Sequence, residues 1–194
     1  IRHDKRLVDA TTESLAFPDA VRSLGEAAAP AFLQLPPNLT RNSHGKPLAA
    51  YLDWLAVQAR GLRIAVEVRA ADLMTAAFAA YLAERGFVLV LADRQGQPDL
   101  YDLWLPLVEE GKAPPFTFIR WIGDDRNGPQ GDREIQNPRD TELSAWAERM
   151  AALAARGIDV FGYVHNPYEG HSPATVRRLQ TLMAGQAPLP AWPP

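Results

Sequence analysis

The sequence predicts an α/β fold organised around a parallel sheet, and three observations predict it. Five short apolar runs recur along the chain, rich in β-branched and aromatic residues. Stretches with helical punctuation lie between them. With 47% hydrophobic residues over 194 positions, there is enough apolar surface to bury a sheet under helices.

Taken in order, the first run is Ala31-Phe-Leu-Gln-Leu35, closed by Pro36-Pro37. A helix is predicted over Pro47–Arg60, stopped by Gly61. The second run is Ile64-Ala-Val-Glu-Val-Arg69. Asp72 is positioned to cap a helix running through Met74, Phe78, Tyr81 and Leu82 to a stop at Gly86. The third run, Phe87–Asp93, and the fourth, Phe116–Gly123, follow. Leu143, Trp146, Met150 and Leu153 recur at spacings of three and four and predict a helix over Thr141–Arg156, ended by Gly157. The fifth run is Asp159–Asn166. Ser172 reads as an N-cap with Pro173 at the first helical position, and that helix continues through Val176, Leu179 and Leu182. Residues 187–194 hold four prolines and read as an irregular tail. Trp54 and Trp146 sit at helical spacing and are expected to pack.

Composition excludes several classes of function. The net charge of −3 gives no electrostatic reason to expect nucleic acid as a partner. Cysteine is absent, so disulfides, thiolate metal sites and cysteine nucleophiles are ruled out; a metal would need His, Asp or Glu. No apolar run approaches the roughly 18 residues of a membrane span, and a cytoplasmic protein is expected. Neither a G-x-G-x-x-G nor a P-loop is present, which weakens a nucleotide-binding open sheet. The runs begin roughly 30 residues apart, close to the repeat of a (β/α) barrel of about 250 residues. Periodicity by itself leaves barrel and open sheet both open.

An ordered set of short motifs narrows that choice. Ile1-Arg-His-Asp-Lys-Arg-Leu7 opens the chain, followed by Leu33-Gln-Leu-Pro-Pro37, Glu67-Val-Arg69 and Arg120-Trp-Ile-Gly123. His165-Asn166 and Gly170-His-Ser-Pro173 complete the set. In this order the motifs resemble the YecE-like family, known as domain of unknown function 72, over the chain to about Met183. The resemblance implies a TIM-type barrel, with the five runs as strands four to eight. Strands one to three would then precede Ile1, residues 1–186 would be the C-terminal part of one barrel domain, and five strands alone would leave open edges. Two departures stand out: Ile122 replaces the histidine of the family's R-L-H-G, and His165 replaces the first residue of an Asn-Asn pair.

In such a barrel the site lies at the C-terminal ends of the strands, here Gln34, Glu67, Arg69, Asp93, Arg120, Trp121, His165 and Asn166. Charged groups recurring at one end of successive buried strands need partners or a ligand. Glu67 and Arg69 share a face and form either a structural ion pair or part of a substrate site. Arg120, beside Trp121, suits a carboxylate or phosphate, or else a salt bridge to Glu67 or Asp93. Glu67 or Asp93 would be the base and His165 the acid or orienter. His171 and Ser172 open the last helix, where free N–H groups could hold an anion or simply be capped. The loop over Asp124–Arg139 could be a lid, and Asp124-Asp125 reads as solvated rather than as a metal site. His3 and His44 carry no argument.

The expected function is that of an enzyme on a small anionic metabolite, phosphorylated or carboxylated, with no cofactor identified. The alternatives are a metal-dependent nucleic-acid-processing barrel and a non-catalytic binding module. All three expect Glu67, Arg120 and His165 to converge.

Overall fold

The computed structural model describes residues 11–185. The opening Ile1–Leu7 motif, His3 and the Pro-rich tail lie outside them. Six α-helices alternate with six strands among the described residues: α1 (Thr11–Arg22), β1 (Ala31–Gln34), α2 (Arg41–Gln58), β2 (Ile64–Glu67), α3 (Ala76–Ala83), β3 (Phe87–Leu89), β4 (Leu91–Arg94), α4 (Tyr101–Glu109), β5 (Phe116–Gly123), α5 (Asp140–Ala154), β6 (Asp159–Val164) and α6 (Ser172–Ala184). The α/β class is as expected. Among the described residues no closed barrel is found: the strands form two three-stranded sheets, ordered β1-β2-β3 and β4-β5-β6.

The first sheet is parallel, with Gln34 paired to Glu67 and Ile64 to Phe87. β2 is buried along its whole length, as a central strand covered on both faces must be. The run read as one strand over Phe87–Asp93 is two. β3 belongs to the first sheet and β4 to the second, and the Val90 N–H between them donates to Val66 O at 2.9 Å. A continuous apolar run carries no mark of where pairing passes from one sheet to the other.

The described residues divide into two compact units, one of residues 11–91 and 98–118, the other of residues 92–97 and 119–185. In the first unit, Leu48, Leu52 and Leu55 bury one face of α2, and Phe32 meets Phe118 with ring centroids 5.6 Å apart. In the second, Leu143, Trp146, Met150 and Leu153 form the buried face of α5, with the spacing the sequence shows.

Helix starts differ from expectation at three places. α2 begins at Arg41, not Pro47, because Thr40 caps it: its Oγ1 accepts from Ser43 N at 3.1 Å. Pro47 therefore lies inside the helix. α3 is capped by Thr75, whose Oγ1 accepts from Phe78 N at 3.2 Å, while Asp72 lies in a preceding 3-10 turn. At α6, Ser172 is the first helical residue rather than the cap; its N–H donates to Asn166 Oδ1 at 2.9 Å. Trp54 is half-buried beside Tyr51, as a packing residue.

Candidate functional site

Charged and polar side chains at the strand ends fall into a cluster in each unit. In the first unit, Gln34 and Glu67 are the last residues of β1 and β2 and are register partners, which brings their side chains side by side. Glu67 is 1% exposed, and Gln34 Nε2 donates to its Oε1 at 2.8 Å. A buried carboxylate needs such donors, since stripping its hydration uncompensated costs several kcal/mol. Arg69 stands two residues beyond Glu67, past the end of β2, and is half-buried.

In the second unit, Arg120 lies within β5 and is 8% exposed. Its Nη2 lies 2.7 Å from His165 Nε2. Guanidinium can only donate, so His165 Nε2 must accept. The imidazole in this contact therefore carries its proton on Nδ1, and protonating Nε2 would destroy the bond and set two cations together. His165 follows β6 directly, where its N–H donates to Trp121 O at 2.8 Å and keeps it alongside β5.

Trp121 does not accompany Arg120. Adjacent strand residues point to opposite faces, and Trp121 turns to the α5 side, meeting the Trp146 ring edge-on at 5.8 Å. With Met150, Ile158, Val160, Val176 and Leu179 it lines an apolar cleft of about 530 Å³. Gly162 on β6 leaves room for the indole, since a Cβ there would come 2.5 Å from it.

Asp93, in β4, is held by two neutral donors. Trp146 Nε1 and the Tyr168 hydroxyl each donate to its Oδ2 at 2.8 Å. Trp146 is thus more than packing. Burial of Tyr168, then the negative charge of Asp93, pushes the phenol far above its ordinary 10, so it stays protonated. The Arg139 guanidinium lies 4.4 Å above the Tyr168 ring.

Asn166 uses its side chain to cap α6, so the Ser172 N–H that an anion would need is taken. His171 is the backbone N-cap and makes no side-chain capping bond. In the loop after β5, the Asp124 carboxylate accepts from Asn127 N at 2.9 Å and Arg126 N at 3.0 Å. Those bonds hold it below the usual carboxylate range. Asp125 pairs with Arg94. Among the described residues no group of three or more His, Asp or Glu is placed to hold a metal, and no helix is long and apolar enough to cross a membrane.

Sequence reasoning passed over Glu169 altogether. It is fully buried and accepts from Arg139 N and Thr175 Oγ1, each at 2.7 Å, and from Arg178. Thr175 and Arg178 are three apart on α6 and so share a face, a pairing that could have marked Glu169 as their acceptor.

The structure thus brings together Gln34 with Glu67, and Arg120 with His165, in separate units.

The whole chain, residues 1–194, matches the family model described as protein of unknown function DUF72. No curated protein matches it. Among solved structures it is similar to a DUF72 family protein from Thermotoga maritima, at 15% identity and a TM-score of 0.68, covering 91% of this chain and 66% of that one. A DUF72 family protein from Enterococcus faecalis is similar at 17% identity and a TM-score of 0.67, covering 93% of this chain and 72% of that one. At these identities the likeness concerns the fold alone. The chain spans just under two thirds of the Thermotoga protein's length.

Proposed function

The chain belongs to the DUF72 family, and from that premise we propose that it binds and acts on a small anionic metabolite, phosphorylated or carboxylated, at the Arg120–His165 pair. The observation that carries this reading is a guanidinium buried in a strand and hydrogen-bonded to an unprotonated imidazole nitrogen. Such a bond orients the guanidinium plane, which suits planar recognition of a carboxylate or phosphate. His165 is the group for proton transfer: its Nε2 carries a lone pair that a bound anion drawing Arg120 away would release to accept a proton. Asp93 serves less well as a base, since its Oδ2 already accepts from Trp146 and Tyr168.

The finer fold reading belongs to the same proposal: the strand-bearing segments are strands four to eight of a TIM-type barrel, and residues 1–186 are the C-terminal part of that single domain. Strand-helix alternation and the greater length of the solved relatives support it. A structure of a longer form of the protein in which β6 pairs with no further strand would end that reading.

The functional test is thermal unfolding of the full chain with inorganic phosphate and with a series of small dicarboxylates. At least one should raise the Tm of the wild type. Arg120→Met, which keeps the length and loses the charge, should weaken that binding tenfold or more, about 1.4 kcal/mol. Equal stabilisation of wild type and variant, or none by any anion, would refute the proposal.

A further inference from the structure

We infer that Glu169 is a positioning residue for the proposed site: its buried carboxylate fixes the turn between β6 and α6 and so keeps His165 on Arg120. The inference deepens the anion-site reading and concerns the same pair.

The turn from His165 to Ser172 is short, and nearly every residue in it is tied down. Tyr168 N donates to His165 O at 3.0 Å, and Gly170 N to Asn166 O at 2.6 Å. Asn166 Oδ1 holds the start of α6, and the Tyr168 hydroxyl reaches Asp93. Glu169 stands at the centre of these ties. Its side chain collects a main-chain N–H from the end of the β5–α5 loop, a hydroxyl from α6, and the Arg178 guanidinium, which also pairs with Asp140 at the start of α5. Its carbonyl oxygen accepts from Gln136 N at 2.7 Å and Asn137 N at 3.1 Å. One residue thus joins the loop, the turn and two helices.

The backbone around it confirms how closely loop and turn approach. Gly170 has φ +111°, and a Cβ there would lie 2.7 Å from Glu134 O. Gly123, at the end of β5, has φ +69°, and a Cβ there would lie 2.7 Å from Tyr168 Cα. Both positions combine a left-handed conformation with a contact that admits no side chain. The β5–α5 loop is therefore clasped at both ends to the turn that carries His165. A fully buried carboxylate met by a cation and two neutral donors sets geometry, because displacing any donor would strand charge or a polar group out of water.

The test reads the His165 ring by ¹⁵N NMR of the full chain labelled at histidine. In the wild type His165 should show a single tautomer, with the proton on Nδ1 and Nε2 accepting. Glu169→Ala should turn this into a mixture of tautomers, and Glu169→Gln, which keeps an acceptor for Arg139 N, should restore the single form. A role confined to stability would lower Tm in Glu169→Ala and leave the tautomer of the folded protein unchanged, and that result overturns the inference. Should Glu169→Ala not fold, Gly170→Ala pries the same turn from the loop, and a wild-type His165 signal in it overturns the inference equally. Titration of the wild type with phosphate and the same dicarboxylates keeps the two readings apart. Absence of anion binding with a Glu169-dependent tautomer removes the site and keeps the clasp; anion binding with a tautomer indifferent to Glu169 does the reverse.

Discussion

β5 and β6 neighbour each other in one sheet, and both read in the sequence as apolar strands, yet every residue of β5 is buried and no residue of β6 is. The difference comes from place in the sheet rather than composition. Among the described residues β5 is the middle strand of three and β6 stands at the border. Burial then sets different terms for polar groups. Thr117 in β5 accepts from Trp104 Nε1 at 3.3 Å and Arg120 donates to His165, as interior positions require. In β6, Asp159 and Tyr163 are exposed. The candidate site lies where these regimes join: a charge from the covered strand held by a residue at the end of the uncovered one.

The largest effect that would test this contrast is Trp121→Ala. The indole is 4% exposed, packs on Trp146 and fills the space beside Gly162. Removing it loses buried area and leaves a cavity, so urea unfolding should show a loss of about 3–5 kcal/mol. A loss below about 1 kcal/mol would mean that β5 is not the rigid core strand its burial indicates.

A smaller effect, with a pH signature, is expected from Tyr168→Phe. Losing the hydroxyl leaves Asp93 with one fewer donor and should cost about 1–2 kcal/mol at neutral pH. The sign with pH follows from the shift. The folded phenol's pKa is raised above its ordinary 10, so the stabilisation is fully present below that value and is lost as pH climbs above it, when the unfolded chain ionises first. Wild-type stability should therefore fall steeply above pH about 10, and Tyr168→Phe should fall less. Parallel slopes for the two proteins would show that Tyr168 is not the group responsible.

What the sequence discloses follows from which physics is local. All five apolar runs carry strands, because β-branched and aromatic residues between Gly and Pro are a local signal. Arg120 and His165 could be picked out because polarity beside buried strands is conspicuous. The face of Trp121 was also within reach: period-two alternation sets it opposite Arg120. The break at Val90 was not, since pairing partners decide it. Nor was α4, whose N-cap position is Leu100, with Asp99 Oδ1 accepting from Tyr101 N at 2.9 Å instead, and which contains Pro106. Thr75 rather than Asp72 caps α3, a choice between two good capping residues three apart that only backbone geometry settles. Glu169 was hidden because a lone acid before glycine looks solvated; its donors come from positions 139, 175 and 178.

The smallest expected effect lies on β6. Tyr163 is 52% exposed, so roughly half its surface is already hydrated and its truncation opens no sealed cavity. At about 25 cal/mol per Å² of apolar area, the part of the ring that is covered supports a loss of about 1 kcal/mol at most for Tyr163→Ala. A value near that of Trp121→Ala would be more informative than agreement. It would mean that something covers the β6 face in solution, and the place to look is the concentration dependence of unfolding. Stability that rises with protein concentration in the wild type and not in Tyr163→Ala identifies the cover as a second molecule. A small loss together with stability independent of concentration returns the strand to the solvent-facing position that its exposure describes.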